Sequence, residues 1–169
     1  VDETFARSVG YLLVDEGIHR PDGMDPGGET WYGLARNYHP DVTPWPPSKA
    51  QAIEHYHHQY WLPHRLDDLP APVAYAVFDG VVQHDRSAVR ILQTCVKSTV
   101  DGVLGPKTIA AVRSMDPEQV VKRFLVSRAR YYSYLGNWEK EGNGWLNRLF
   151  AVHTRCLRWI AQSPSIPSP

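Results

Sequence analysis

The residues predict a mainly α-helical protein, a helical bundle with a small β-hairpin lobe after the first helix. Apolar residues recur at helical spacing along most of the 169 positions, and the one clear loss of that period, at 18–34, is filled with turn formers. No apolar run approaches the roughly 20 residues that a membrane span requires. A hydrophobic fraction of 43% and a charged fraction of 21% are ordinary for a globular chain, and this length can bury a core without disulfides or metal. Cys95 and Cys156 are too sparse for a disulfide scaffold and are expected as buried thiols.

Phe5, Val9, Leu12 and Leu13 define an amphipathic helix over 3–16, with Gly17 as its stop. Pro21, Asp22 and Gly23, then Asp25, Pro26, Gly27 and Gly28, interrupt the period before Thr30, Trp31 and Tyr32 bring strand-forming types. That is a hairpin or irregular lobe. After the prolines at 44–47, Ser48 with Gln51 three residues on is a capping-box signature, opening a helix to about Trp61. Further helices are expected at 71–83, 86–97, 106–114, 117–134 and 143–161, and the tail after Gln162, with Pro164, Pro167 and Pro169 among serines, reads as a disordered end. Residues 1–85 form one expected region and 86–162 a second, either a separate domain or the second lobe of one fold.

Charge divides along the chain. Residues 1–85 hold 5 basic and 13 acidic side chains, a net of −8, whereas 86–169 hold 13 basic and 5 acidic, a net of +8. A basic half on a neutral chain fits a polyanionic partner such as cell wall, lipid headgroup or nucleic acid; a solvated helical surface is the plainer alternative. Six Trp and nine Tyr suit both a core and a groove that stacks against sugar faces. Position 1 is Val and not Met, which is compatible with removal of an initiator or export segment.

Glu16 stands out by its position on the first helix. Counting about 100° per residue from Phe5, it falls at about 20°, between Val9 and Leu12 on the apolar stripe, whereas Asp15 falls at the edge of that face. A carboxyl there loses water and, in the last helical turn, faces the negative end of the helix dipole; both favour the protonated form. A general acid that delivers a proton to a departing sugar oxygen needs that state. The alternative is a Glu that bends to solvent or pairs with Arg20 or His19. Downstream, Asp25, Pro26, Gly27 and Gly28 fit a tight turn in which proline presets the second position and glycine supplies a positive φ at the third. Such a turn holds Asp25 firmly, and Thr30 follows five residues later. An acid, a carboxylate and a hydroxyl around one cleft suit glycoside hydrolysis.

The run Glu16, Gly17, then Asp25, Pro26, Gly27, Gly28, Glu29, Thr30, then Tyr32, Gly33, Leu34, resembles the signature of glycoside hydrolase family 108, lysozyme-like muramidases found in phages and prophages. The spacing is also similar to the Glu, Asp, Thr triad of the T-even phage lysozymes. The resemblance implies a lysozyme-like α+β fold and hydrolysis of the β-1,4 bond between N-acetylmuramic acid and N-acetylglucosamine. Glu16 would donate the proton, Asp25 and Thr30 would position the attacking water, and an inverting pathway is compatible. Ile18 stands where the family usually has a second glycine, and Glu29 occupies a variable position of the motif, ranking below Asp25.

Phe78 and Asp79, with Gln83 where the family more often has Asn, resemble the segment that lines the substrate groove; Tyr32, Asp79 and Gln83 are the implied substrate-binding residues. By its residues alone, Asp79 among Tyr75, Phe78 and Val82 is either a buried hydrogen-bond hub or a groove residue. Gln93 matches a recurring position in the next helix. Asp101, Gly102, Val103, Gly105, Pro106 and Thr108 resemble the opening of the peptidoglycan-binding domain usually paired with this family, although Asp-Gly turns and a first-turn proline also serve the fold alone.

His55 and His58, spaced i and i+3, with His57 and His64 nearby, raise zinc and a peptidase. No HExxH pairing accompanies them, and Tyr56 to Trp61 reads more simply as a packed helix. The acidic loop from Asp22 to Glu29 lacks EF-hand spacing for calcium. A non-catalytic peptidoglycan-binding module and a lytic transglycosylase remain the alternative functions. The expectation is therefore a monomeric, phage- or prophage-encoded enzyme with no cofactor and no metal. It is made in the host cytoplasm and acts on the wall in the periplasm; its partner is peptidoglycan, without nucleic acid or stable membrane insertion.

Overall fold

The computed structural model describes residues 2–21 and 26–162. They fall into two compact units, Val1–Pro63 and His64–Pro169. The expected disordered tail after Gln162 lies outside the described residues.

In the first unit, α1 spans Glu3–Glu16 and buries Phe5, Ser8, Val9, Leu12 and Leu13, the stripe its periodicity predicts. Gly17 ends it: at φ 74° its N–H donates to the Leu13 carbonyl at 3.1 Å. The lobe that follows holds more than a hairpin. Three two-residue strands, β1 (His19–Arg20), β2 (Thr30–Trp31) and β3 (Leu34–Ala35), form an antiparallel sheet in chain order. His19 pairs with Trp31, and Thr30 with Ala35. Between β2 and β3 the chain reverses through Tyr32 (φ 52°) and Gly33 (φ 83°), two positive φ values in a row, as the tightest hairpin turns require. The capping box is present in full: the Ser48 hydroxyl accepts from the Gln51 N–H while the Gln51 side chain accepts from the Ser48 N–H. It opens α2 (Lys49–Tyr56), which loosens into a π-helical turn at His57–Trp61. There the His57 and Trp61 rings lie 4.6 Å and 5.2 Å from that of Phe5, joining α1 to α2.

The second unit is helical: α3 (Ala71–His84), α4 (Arg86–Cys95), α5 (Pro106–Arg113), α6 (Pro117–Ser133) and α7 (Trp138–Gln162), preceded by a 3-10 turn at Leu66–Asp68. From Pro72 to Val81 every residue of α3 is buried, and α4, α6 and α7 all pack on it. The compact units divide at 63/64, and α3 supplies the core of the helices that follow it. Gly80 lets them approach, since a β-carbon there would lie 3.0 Å from Phe124 and 3.1 Å from Ala88. Helix α7 starts earlier than the expected 143. The Trp138 ring lies over Gly142, where a β-carbon would come within 2.9 Å of it, so a glycine that discourages helix by propensity here makes room for an aromatic side chain one turn away. Both cysteines are free. Cys156 is buried, its thiol donates to the Pro72 carbonyl, and burial pushes it up to about 12; Cys95 is half-buried.

The segment from Asp101 to Thr108 is organised by one buried amide. Gln93 Oε1 accepts the N–H groups of Asp101 and Gly102 at 3.0 and 2.9 Å. Its Nε2 donates to Asp101 Oδ1, to the Val103 carbonyl and to Thr108 Oγ1. Gly102 needs its freedom, with φ at 80° and the Arg90 guanidinium 3.2 Å from where a β-carbon would sit. These bonds fit the fold-stabilising reading of the motif. Gln93→Ala should lower unfolding free energy by about 2–4 kcal/mol, since it strands several polar groups away from water; denaturant titration of the purified chain checks this, and a loss within error of zero would refute the bracket.

Candidate active site

Helix α1 delivers Glu16 as its last residue, half-buried, while neighbouring Asp15 is exposed. The two carboxylates therefore differ in setting, as the helical period predicts. Across from Glu16 lies the turn between β2 and β3. A β-carbon on Gly33 would fall 2.8 Å from Glu16 Cγ and 2.5 Å from the Tyr56 hydroxyl oxygen, so the absence of a side chain is what lets the Glu16 stem, the turn and Tyr56 meet. Tyr56 is 1% exposed, and its hydroxyl donates to the Tyr32 carbonyl at 3.0 Å. That bond holds Tyr32 in its positive φ, and the Tyr32 N–H donates to the Ile18 carbonyl at 2.8 Å. Ile18, standing where a glycine is usual, is 64% exposed and uses only its backbone in this contact.

Asp25 lies outside the described residues. The end of its turn is held from Asn37, whose side chain donates to the Pro26 carbonyl at 3.0 Å and whose N–H donates to the Gly27 carbonyl. Gly28, at φ 71°, leaves room for the Asn37 amide 3.1 Å from its missing β-carbon. Thr30 is half-buried in β2, and its hydroxyl donates to the Gly28 carbonyl at 3.4 Å.

Glu29 has a larger structural part than its place in the motif suggests. Its Oε2 accepts from the Trp45 indole at 2.8 Å, and its Oε1 accepts from the Trp31 indole at 3.0 Å and lies 3.1 Å from His19 Nε2. The Trp45 and Trp31 donors, with His19 adding to them against partial desolvation, hold the carboxyl below its usual range. With two indole donors and His19 beside them, Glu29 straps the proline-rich segment to the sheet. The Trp45 ring also lies beneath the Arg36 guanidinium at 5.8 Å.

In the second unit, Asp79 is fully buried, with Oδ2 2.8 Å from Arg128 Nη1 and Oδ1 2.7 Å from Arg148 Nε. Burial alone would raise its carboxyl, but the two guanidinium charges outweigh that and hold it below the usual range. Gln83 belongs to the same network, its Oε1 accepting from Arg128 Nη2 at 3.1 Å and from the Tyr132 hydroxyl at 2.7 Å. Of the two readings of Asp79, these bonds match the hydrogen-bond hub. Beside them, the His84 ring lies 5.1 Å from Tyr132 and 5.2 Å from Tyr131. Burial, reinforced by the Arg128 charge, lowers its pKa to about 4.

Comparison with known proteins identifies the family. Residues 9–84 match the model for glycosyl hydrolase 108, and residues 87–150 match one described as Predicted Peptidoglycan domain. The solved structure of SagA from Brucella abortus is 30% identical, with a TM-score of 0.84, over 96% of this chain and 98% of that one. The chain belongs to the glycosyl hydrolase 108 family. It is a glycoside hydrolase of peptidoglycan, on a mainly α lysozyme-like fold. Among curated proteins none matches it in sequence.

Within this glycosyl hydrolase 108 chain, helical period and turn chemistry single out Glu16, Asp25 and Thr30, and the family resemblance adds Tyr32, Asp79 and Gln83, but both miss Tyr56, Trp45 and Arg128. Tyr56 lies 24 residues from the carbonyl it braces, and Arg128 lies 49 residues from Asp79, so no local period connects them. The one local hint is Arg128 with Tyr132, four residues apart on α6.

Two predictions follow from these contacts. Gly33→Ala forces a β-carbon into Glu16 and Tyr56 at a positive φ; it should cost about 1–3 kcal/mol of stability and reduce peptidoglycan hydrolysis more than thermal unfolding at assay temperature accounts for. Equal activity per folded molecule would show that the Glu16 contact is immaterial. For His84, the folded value of about 4 lies below the ordinary 6.5, so between these the unfolded chain takes up a proton that the folded one refuses. Its contribution is complete above pH 6.5 and is lost as pH falls toward 4, amounting to about 3 kcal/mol. His84→Phe should therefore flatten the decline of melting temperature between pH 7 and pH 4 relative to wild type; parallel declines would contradict the assignment.

Proposed function

We propose that this chain is an N-acetylmuramidase that cleaves the β-1,4 bond between N-acetylmuramic acid and N-acetylglucosamine, with Glu16 as the proton donor. The observation that carries this reading is the apposition of Glu16 with Gly33 and the Tyr56 hydroxyl, which supports the acid at the rim of the β-lobe. Glu16 protonates the glycosidic oxygen while Asp25, assisted by Thr30, holds water on the opposite face of the sugar for attack at the anomeric carbon. The bond to the leaving oxygen breaks as the water oxygen bonds to carbon, and Asp25 takes the water's proton. Glu29 is less suited to that second role, because its oxygens already engage Trp31, Trp45 and His19.

Tyr32 offers its half-exposed ring to the glycan, whereas Asp79, fully buried, acts on the second unit through its bonds to Arg128 and Arg148. The setting we propose is that of an endolysin encoded by a phage or prophage, made in the host cytoplasm and acting on the wall in the periplasm as a monomer. No described helix is long and apolar enough to cross a membrane.

Digestion of purified peptidoglycan with mass spectrometry of the new ends tests the bond. Reducing muramic acid ends are expected; anhydro ends would mean a lytic transglycosylase, reducing glucosamine ends another glycosidase, and no product a binding module. Glu16→Gln should keep the circular dichroism spectrum and melting temperature while losing at least about 100-fold in rate, the usual scale of general acid catalysis. A folded Glu16→Gln protein that keeps a tenth of wild-type activity would remove Glu16 from the reaction.

A further inference from the structure

The sequence pairs His55 with His58 by helical spacing, but the fold brings together a different set. The chain leaving β3 turns back on itself, with the N–H groups of Tyr38 and His39 both donating to the Ala35 carbonyl and that of Val42 donating to the His39 carbonyl. This places His39 and Asp41 beside His55 on α2. One ring nitrogen from each histidine and one carboxylate oxygen of Asp41 lie within 4.8 Å of one another. His39 Nδ1 and His55 Nε2 face each other at 3.1 Å, with the rings nearly perpendicular at 86°. Asp41 Oδ2 stands 3.5 Å from His55 Nδ1.

We infer that His39, Asp41 and His55 form a zinc-binding site, with three protein ligands and a fourth position open to solvent. Two nitrogens bound at about 2.0–2.1 Å to one tetrahedral zinc stand about 3.3 Å apart, close to the separation already present. Two imidazole nitrogens this near share at most one proton, so at least one lone pair points into the gap. Both histidines are half-buried, the His55 side chain to 9% exposure, whereas the Asp41 side chain is 58% exposed, sits on a turn and faces the other ring nitrogen of His55, so it must turn to join a metal held at Nε2. Two imidazoles with one carboxylate form a donor set that favours zinc over calcium or magnesium, which prefer oxygen alone. His58, exposed on the outer side of the same helix, is outside the set.

The ion would clamp the proline-rich segment onto α2, adding to the bond from the Gln51 side chain to the Thr43 carbonyl. A surface pocket lined by Arg36, His39, Val42 and Trp45 opens beside it. The site does not depend on the muramidase reading, because its ligands take no part in the proposed proton transfers.

Calorimetric titration of the purified full chain with zinc chloride in a non-chelating buffer should show one saturable site, accompanied by a rise in melting temperature. Cobalt(II) added in place of zinc should give the intense visible bands of a tetrahedral ion. His39→Ala and His55→Ala should abolish both signals, Asp41→Asn should weaken zinc binding by about 10- to 100-fold, and His58→Ala should leave it unchanged. If His39→Ala or His55→Ala fails to fold by circular dichroism, the exposed Asp41→Asn substitution and the cobalt spectrum decide alone. Absence of saturable binding by wild type, or binding unaffected by Asp41→Asn, would overturn the site; so would binding lost in His58→Ala.

Discussion

A carboxylate without access to water organises the second unit. Asp79 lies in the middle of α3, and its two oxygens reach Arg128 on α6 and Arg148 on α7. Taking such charges out of water is costly, and their attraction offsets the cost only when the remaining donors and acceptors are satisfied. Tyr132 and Gln83 provide for that at Arg128 Nη2, while Arg128 Nε has no hydrogen-bond partner among the described residues, so the network is satisfied only in part. Removing one partner from a buried pair of this kind costs about 3–5 kcal/mol, because the survivor keeps its charge in an apolar setting. The network thus fixes one arrangement of three helices that apolar packing alone would leave freer to slide. It also brings positive charge toward His84, so the same interaction that orders the bundle makes it sensitive to acid.

The first unit is ordered differently: it sets an acidic side chain, half-buried, at the end of a helix against a tight turn. Its means are steric. Gly33 leaves a gap of the size of one methyl group, and the Glu16 stem and the Tyr56 hydroxyl occupy it. The turn that presents Gly33 tolerates a non-glycine residue at positive φ, Tyr32, because that residue's carbonyl and N–H are both bonded, to Tyr56 and to Ile18. Glu29 does for the other side of the sheet what Tyr56 does for this one, with two indoles as its donors.

Much of the helical framework is legible in the sequence because it is local. The period of Phe5, Val9, Leu12 and Leu13, the stop at Gly17 and the Ser48–Gln51 box each depend on neighbours within about one turn. What escapes notice lies beyond that range. Strand β3 is two residues long, too short for any alternation to show, and it exists because Tyr32 and Gly33 reverse the chain. The start of α7 is hidden by Gly142, whose reason is the Trp138 ring. For the site, the half-buried setting of Glu16 follows from helical geometry, whereas the approach of Gly33 and Tyr56 needs the tertiary fold. The histidines show the same limit: His55 and His58 share a helical spacing, but His55 meets His39, sixteen residues earlier in the chain.

The two family matches join between residues 84 and 87, at the end of α3. That junction is a seam in the sequence and not in the protein. A crossover there would pair α4 to α7 with an α3 from another parent, whose buried face need not match theirs. A crossover upstream of His64, where the chain passes from one compact unit to the next, instead carries α3 together with the helices it packs against.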